Sequence, residues 1–333
     1  MKREYSVSLI RTLALFMIIA CHILQGLNNR LAFYVNVGVQ IFFFISGYLY
    51  GMKKIEEPVK FYKKQFIKIL QPFWVLFIII LLIDVIFGFP LIPSKLFLGN
   101  ILGLGAFTGT HSVLSHTWFV TYILLCYLIT PVLSRFIDVT DKKEFDIFKM
   151  IVSLFIIAFI FNFFGIVNFN MFWIVNYILG YIFSKYYIKN KIDYKKLLDL
   201  LIMILIIFLP IRIYIEFNLL NSSNFLILKF CDGYHVLLGS SIFVILYRIF
   251  SNYDLKEKTK KILDFFDKYS YFIYLVHQIF ILNKYSCLFI TDYLIVNVII
   301  IILSSILSAI CLFKLNKLII KIFSKINWRN KNE

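Results

Sequence analysis

Two ionisable residues, Arg11 and His22, lie within the first apolar stretch of the chain. The stretch from 9 to 27 is long and apolar enough to cross a lipid bilayer. Eleven residues at about 100° each make about three full turns, so on a helix Arg11 and His22 share one face, about 16 Å apart along the axis. Ionisable groups at membrane depth face the protein interior or a wet cavity, so the pair indicates a functional site. The alternative is an Arg11 that reaches the interface and a neutral His22 that only packs.

The two residues suggest different chemistry. A neutral imidazole can accept a proton, so His22 is the predicted catalytic residue, either as a general base or as a brief carrier of the transferred group. The Arg11 guanidinium can bind a phosphate through two parallel hydrogen bonds. Because this helix contains no Asp or Glu, we expect the partner that orients His22 to come from elsewhere in the fold. The spacing suits an elongated ligand with its charged head near Arg11 and its reactive end near His22.

Further polar residues are candidates for the same site. Lys64 and Lys68 are four residues apart and share a helix face, which contacts either the phosphates of a donor or lipid headgroups. Ser46 and Gly47 are small residues that favour close helix approach in the second span. The residues expected on the acceptor side of the site, or in support of it, are His116, Trp118, His277 and Ser46.

Structural roles are the alternatives for these supporting residues. Trp118 suits an aromatic anchor at the outer membrane interface, next to His116. His277 is expected about a third of the way across its span from the cytoplasmic side, where a hydrogen-bonded core histidine is the alternative.

Charged residues at other helix ends also allow two interpretations. Arg212 and Glu216 are four residues apart, and Asp232 and His235 are three apart. Each pair either contacts a polar acceptor or forms a local ion pair, and we favour the local pair. Asp84 is expected at the membrane interface.

Composition excludes several classes of protein. Of the 333 residues 61% are hydrophobic and 16% are charged, which is too apolar for a soluble globular protein of this size. The five cysteines are not at metal-ligand spacing and suit small apolar core positions. Motifs of serine nucleophiles and zinc proteases are absent from the sequence, and we expect no bound metal or resident cofactor.

Transmembrane helices are the elements that must position these residues. The apolar runs predict an all-α polytopic membrane protein with about ten spans and a single transmembrane domain over 1–333, with no appended soluble domain. The predicted spans are 6–27, 33–52, 66–88, 117–137, 147–167, 171–188, 197–217, 233–251, 269–290 and 293–314.

The basic residues support this arrangement. If the N-terminus is cytoplasmic, 29 of the 35 lysines and arginines fall on the cytoplasmic side. This asymmetry predicts an even number of spans with both termini in the cytoplasm. The net charge of +17 then orients the chain and attracts anionic lipid headgroups, so nucleic acid is not an expected partner. The opposite side receives Arg30, Lys95, Arg212, Lys229 and Lys284.

Several of these stretches, in this order and spacing, resemble the acyltransferase-3 family of integral-membrane acyltransferases. Family members commonly carry Arg-x-x-Arg before the third span, where this chain has Gln65 and Lys68. Lysine keeps the charge of arginine but loses its forked hydrogen-bond geometry. The resemblance covers nearly the whole chain and rests on Arg-x10-His (Arg11, His22), Gly-Val-x-x-Phe-Phe-x-x-Ser-Gly (Gly38 to Gly47), a basic residue before proline (Lys68, Pro72), His-x-Trp-Phe (His116 to Phe119) and Ser-Tyr-x-Ile-Tyr-Leu-x-His (Ser270 to His277).

The resemblance implies O-acyl transfer, often of acetyl, from cytoplasmic acyl-CoA to a hydroxyl of a cell-surface glycan or similar acceptor. It implies that Arg11 and His22 form the functional pair, whereas donor contact at Lys64 and Lys68 is expected from their charge and spacing alone. The implied partners are acyl-CoA as co-substrate, acetyl-CoA above all, a glycan or lipid-linked sugar, and the lipids of the plasma membrane. The alternative is a carrier or exporter of a glycan or lipid-linked sugar, which predicts matching broken helices in two halves. The sequence shows no such internal symmetry.

Overall fold

The computed structural model describes residues 4–90, 92–138, 144–164, 169–189, 195–219 and 224–329, and the regular secondary structure in these ranges is helical. Two 3-10 turns, Ser112–Thr117 and His277–Phe280, and a π-helical stretch, Phe183–Lys189, interrupt the α-helices. The α-helices are α1 (Tyr5–Gly26), α2 (Ala32–Val35), α3 (Gly38–Gly51), α4 (Pro58–Ile86), α5 (Ser94–Ile101), α6 (Gly105–Thr108), α7 (Trp118–Asp138), α8 (Glu144–Phe163), α9 (Phe172–Ile182), α10 (Lys195–Asn218), α11 (Phe225–Phe250), α12 (Glu257–Val276) and α13 (Leu294–Arg329).

Eight helical segments of the described residues are long and apolar enough to cross a bilayer. They confirm the prediction of an all-α polytopic membrane protein, whereas the count of ten spans and the cytoplasmic termini stay predictions. These segments are Tyr5–Gly26, Ala32–Gly51, Pro58–Ile86, Ser112–Ile137, Asp146–Phe163, Leu198–Asn218, Phe225–Phe250 and Leu294–Ile322.

The other two predicted spans are not single long α-helices. The span at 171–188 consists of α9, which continues as the π-helical stretch Phe183–Lys189. The prediction of one helix over 269–290 is wrong, because α12 begins at Glu257 and ends at Val276. The first turns of α12 carry several charged residues, which hide their helical character from a search for apolar runs. The end of the predicted span 147–167 lies outside the described residues.

Glycines let α3 and α9 approach each other closely. A Cβ atom at Gly47 would collide with the carbonyl oxygen of Tyr177, and one at Gly180 would collide with the carbonyl oxygen of Phe44. The backbones of the two helices are therefore in contact, as small residues allow in membrane proteins. This agrees with the close approach predicted at Gly47.

Three helices bury few of their apolar residues inside the protein. In the most apolar 18 residues, only 17% are buried in α8 and in α10, and 22% in α13, against 56% in α1. Ile206 and Leu303 are examples of side chains that are more than half exposed. Such surfaces suit contact with lipid tails.

The packing of the chain separates it into two compact units, which we call unit 1 and unit 2. Unit 1 comprises Met1–Pro58 and Leu125–Asp264, and unit 2 comprises Val59–Leu124 and Phe265–Glu333. The single transmembrane domain stays a prediction. Arg11, His22 and Ser46 belong to unit 1, and unit 2 holds Lys64, Lys68, His116, Trp118 and His277.

An ion cluster around the buried Asp84 ties three segments of unit 2 together. The Asp84 carboxylate accepts hydrogen bonds from Lys284 Nζ and from His111 Nε2, both at 2.8 Å. Asp84 is only 4% exposed, and its place at the membrane interface stays a prediction. Its partner Lys284 is two hundred residues away, so no local pattern shows the pair. The Nδ1 atom of His111 accepts the backbone N–H of Val113 at 3.2 Å, so the cluster also fixes the chain before α7.

Candidate functional site

One helix carries both Arg11 and His22. α1 contains no proline, and its only glycine is the last residue, Gly26, so the chain stays helical between the two positions. The rise of an α-helix then places them about 16 Å apart on one face. Both side chains are half-buried. A shared internal passage along this face stays a prediction.

The imidazole of His22 is held by a side chain of its own helix. Its Nδ1 atom lies 2.8 Å from Oε1 of Gln25, one helical turn onward. The amide oxygen accepts a hydrogen bond, so Nδ1 carries the proton and Nε2 carries the lone pair of the neutral ring. The expectation that any partner of His22 comes from elsewhere in the fold is therefore wrong for Gln25. The sequence search considered carboxylates and overlooked an amide three residues away.

Arg11, the other residue of the pair, acts electrostatically on Tyr127, which is buried in α7. The Ser46 hydroxyl lies 3.5 Å from the Tyr127 hydroxyl, and the ring of Tyr50 meets that of Tyr127 edge-on with centroids 5.1 Å apart. The structure thus brings Ser46 into the surroundings of Arg11, as part of a cluster that joins α1, α3 and α7. Tyr50 and Tyr127 were not predicted, because neither stands in a motif.

A buried lysine in unit 1 also escaped the sequence search. Lys185 is only 7% exposed and lies in the π-helical stretch Phe183–Lys189, with its ammonium group 5.7 Å from the ring centroid of Tyr181. The sequence placed it among the cytoplasmic loop cations. Gly51, the last residue of α3, packs against Ser184, so Lys185 lies near the same end of α3 as Tyr50. π-Helical turns occur often at functional sites.

The two lysines of α4 present their charges outward. Lys64 and Lys68 are both exposed, whereas Gln65 and Ile69 beside them are buried. An unbroken helix at this point confirms that the two lysines share a face. Donor contact and headgroup contact both remain open for them.

His116 and His277 are neighbours in unit 2, although the sequence analysis placed them at different depths. Their ring centroids are 5.0 Å apart, and the two residues are 3% and 0% exposed. The predicted depths of the two histidines therefore cannot both hold. The prediction that His277 lies inside a helix over 269–290 is wrong, because α12 begins at Glu257 and has already ended at Val276.

One amide organises this histidine pair. Oε1 of Gln278 lies 2.6 Å from His116 Nδ1, and it also accepts the His116 backbone N–H at 2.9 Å and the Ser115 hydroxyl at 3.0 Å. His277 Nδ1 lies 2.7 Å from the carbonyl oxygen of Tyr274. The Tyr274 hydroxyl donates to the carbonyl oxygen of His116 at 2.6 Å. These bonds join the end of α12 to the start of α7.

Trp118 begins α7 immediately after this cluster. Its indole is half-buried and meets the ring of Tyr122 edge-on, with centroids 5.8 Å apart. An anchoring role at the interface stays a prediction for Trp118.

The predicted charged pairs are partly rearranged. Arg212 and Glu216 form the expected local ion pair at 3.0 Å. Asp232 does not pair with His235 but binds Lys229 at 2.9 Å. His235 packs on another residue, the ring of Phe33, with centroids 4.3 Å apart.

Comparison with known protein families identifies the family of this chain. The acyltransferase-3 family model, described as an acyltransferase domain, matches residues 4–314. The matched range includes every candidate residue from Arg11 to His277. No curated protein and no solved structure matches the chain.

Proposed function

The chain belongs to the acyltransferase-3 family, and from this membership we propose that it is an O-acyltransferase that moves an acyl group, most simply acetyl, from acyl-CoA to a hydroxyl of a cell-surface glycan or similar acceptor. Membership of the family by itself supports the general function of a membrane acyltransferase. The observation that carries the finer proposal is the geometry of α1, where a half-buried imidazole fixed by Gln25 shares a helix with Arg11.

His22 supplies the proton chemistry in this proposal. Nε2 takes the proton of the acceptor hydroxyl while the hydroxyl oxygen attacks the carbonyl carbon of the thioester. The bond between carbon and sulfur then breaks, and the imidazolium returns its proton to the departing CoA thiolate. In the alternative route Nε2 itself attacks the carbonyl carbon, and CoA leaves as its thiolate. The acceptor hydroxyl then takes the acyl group from the imidazole, and the proton that it loses goes to the CoA thiolate. Both routes need Nδ1 to keep its proton and to donate it in the hydrogen bond to Gln25 Oε1, so both depend on the same hydrogen bond.

Arg11 binds the charged part of the donor in this proposal. Acyl-CoA has a phosphorylated nucleotide at one end and a thioester at the end of a long flexible arm, so its charged and reactive ends lie far apart. The separation of about 16 Å along α1 suits such a molecule. Within unit 1 the buried Lys185 offers a second cation. For Lys68 and Lys64, which are exposed in unit 2, donor contact and lipid-headgroup contact are both open.

The remaining candidates act as supports. Ser46 helps to fix Tyr127, which lies beside Arg11. We assign His116, His277 and Trp118 to the junction of α7 and α12 in unit 2, because their observed contacts are hydrogen bonds and ring packing within the fold. We place the enzyme in the plasma membrane, with the donor supplied from the cytoplasm.

Mass spectrometry of cell-surface glycans tests this function and names its substrates. Glycans are compared between cells that lack the protein, cells that express it, and cells that express His22→Ala or the exposed-site control Arg30→Lys. We expect one acyl mass to be present with the wild type and with Arg30→Lys, and to be absent with His22→Ala. Identical spectra in all four strains would contradict the proposal.

A further inference from the structure

Arg212 is one of the largest fully buried side chains of the described residues, at 1% exposure. Its Nη2 atom donates to Glu216 Oε2 at 3.0 Å, and its guanidinium lies 3.6 Å from the ring centroid of Phe33. Among the residues that the structure describes, its Nε and Nη1 atoms have no hydrogen-bond partner. A buried donor without an acceptor costs about 1–3 kcal/mol, and more when the group is charged. Two such donors on one cation indicate that a further acceptor belongs there.

These donors border a cavity of about 240 Å³. Arg212 and Glu216 form its interior wall, since their side chains are only 1% and 3% exposed. Lys229 and Asp232 lie nearer its mouth, with side chains that are 16% and 28% exposed. The volume suits one small polar ring rather than an extended chain.

The cavity lies at the same end of unit 1 as His22. α1 ends at Gly26, and α2, which carries Phe33, packs against α1. Phe33 contributes to the cavity together with the end of α10 and the start of α11. His22 lies in the last turns of α1, so the cavity adjoins the end of α1 that carries the proposed base.

The hydrogen bonds that the residues around the cavity already make indicate the charge of its ligand. Each carboxylate is bound through one oxygen, Oε2 of Glu216 by Arg212, and Oδ2 of Asp232 by Lys229 and Asn170. The two Arg212 donors that have no acceptor among the described residues belong to a cation that is always charged. Such a cation makes stronger hydrogen bonds with a charged oxygen than with the hydroxyl of a neutral sugar. A carboxylate or phosphate brings acceptors alone.

We propose that this cavity binds an anionic group, a carboxylate or a phosphate, on a small sugar-like ligand. Nε and Nη1 of Arg212 bind its oxygens, and Lys229 attracts it at the mouth. That the occupant is the acyl acceptor rests on the proposed function, whereas the binding itself does not. The chain would then acylate acidic rather than neutral acceptors.

Calorimetric titration of the purified full-length protein in lipid nanodiscs, without any donor, tests the site. The probes are D-glucuronate, D-glucose 1-phosphate and D-glucose. We expect at least one of the two anions to bind at least tenfold more tightly than glucose, and the better anion shows whether a carboxylate or a phosphate is preferred. Binding of glucose as tight as that of both anions, or no binding of any probe, would overturn the proposal.

Matched variants locate the site. Arg212→Lys keeps the charge beside Glu216 but lacks Nε and Nη1, so anion binding should weaken about tenfold or more. Arg30→Lys makes the same change at an exposed position and should bind as the wild type does. Lys229→Gln, nearer the mouth, should weaken binding by a smaller factor without disturbing the buried pair. Undiminished binding by folded Arg212→Lys or by Lys229→Gln would refute the assignment.

One further comparison separates this inference from the proposed function. His22→Ala should bind the anion with wild-type affinity, because His22 is not part of the cavity lining. If the wild type binds the anion but transfers no acyl group, the proposed function fails and the site stands. If it transfers acyl groups but binds no anion, the site fails alone.

Discussion

His22 in unit 1 and the pair of His116 and His277 in unit 2 show two uses of the same residue type. The His22 ring is half-buried, and the exposed amide of Gln25 binds its Nδ1 atom. The other two rings are buried, pack against each other, and are bonded to Gln278 and to the main chain. A half-buried ring that a side chain of its own helix orients is placed to meet a substrate, whereas two buried rings inside a network join helices. Burial and bonding, rather than residue type, therefore separate the catalytic candidate from the structural ones.

The charged clusters around Asp84 and Arg212 differ in a similar way. Lys284 and His111 together engage both oxygens of Asp84, so that carboxylate is saturated. Arg212 engages one carboxylate and, among the described residues, has two donor atoms without acceptors. The first cluster has the bonding of a structural clamp, and the second has the bonding of a site that still takes a ligand.

Replacement of His22 should have the largest effect on activity. His22→Ala is expected to lower the rate of CoA release from acetyl-CoA by about 10²–10⁴-fold, since it removes the group that accepts the proton. Its unfolding temperature should stay at the wild-type value, because the ring is only half-buried. Parallel thermal unfolding and CoA assays check both points. Activity near that of the wild type would remove the distinction between the two histidine regions.

Replacement of Gln278 should act on stability instead. Gln278→Ala removes an acceptor that three donor groups share, so the free energy of unfolding should fall by about 2 kcal/mol. Ser115→Ala, which removes one of these bonds, should cost less. Denaturant titration in detergent measures both changes. Loss of turnover per folded molecule without loss of stability would show that His116 and His277 take part in the reaction.

Replacement of Arg11 should change donor binding. Arg11→Lys keeps the charge and loses the forked hydrogen bonds, so we expect the KM for acetyl-CoA to rise about tenfold with a smaller change in kcat. Steady-state kinetics with varied acetyl-CoA separates the two constants. An unchanged KM together with a large fall in kcat would show that Arg11 acts on the reacting atoms.

Replacement of Gln25 should give the smallest of these effects. Gln25→Ala frees the imidazole to rotate, so kcat should fall about fivefold to tenfold while the KM for the donor stays constant. Gln25→Glu keeps an acceptor oxygen and should recover most of the lost rate. If both variants retain the wild-type kcat, then Gln25 does not position His22.

The sequence was a good guide to long apolar helices and a poor guide to charged ones. α1 was predicted to within a few residues, because its apolar run is continuous and lacks internal breakers. α12 was misplaced, because its first turns are charged and carry no hydropathy signal. Because the predicted helix began and ended too late in the chain, His277 was expected inside it and far from His116. Hydropathy alone identified the helix but not its ends.

The candidate site was predictable only where its residues stand in one helix. Arg11 and His22 could be paired from their spacing, since helix geometry fixes their shared face. The partners Tyr127, Lys185 and Lys284 come from distant parts of the chain, and their contacts depend on packing that no local pattern encodes. Gln25 was within reach of sequence reasoning, because an amide oxygen three residues onward on a helix can fix an imidazole.

The central claim is that this chain transfers an acyl group from acyl-CoA by chemistry on α1. The most direct measurement incubates the purified wild-type protein in liposomes with labelled acetyl-CoA and a cell-envelope glycan extract, in the absence of any ion gradient. The account predicts release of CoA together with an equal amount of labelled acetyl ester on the glycan. Glycan that crosses the membrane without release of CoA would contradict it and would identify a carrier instead.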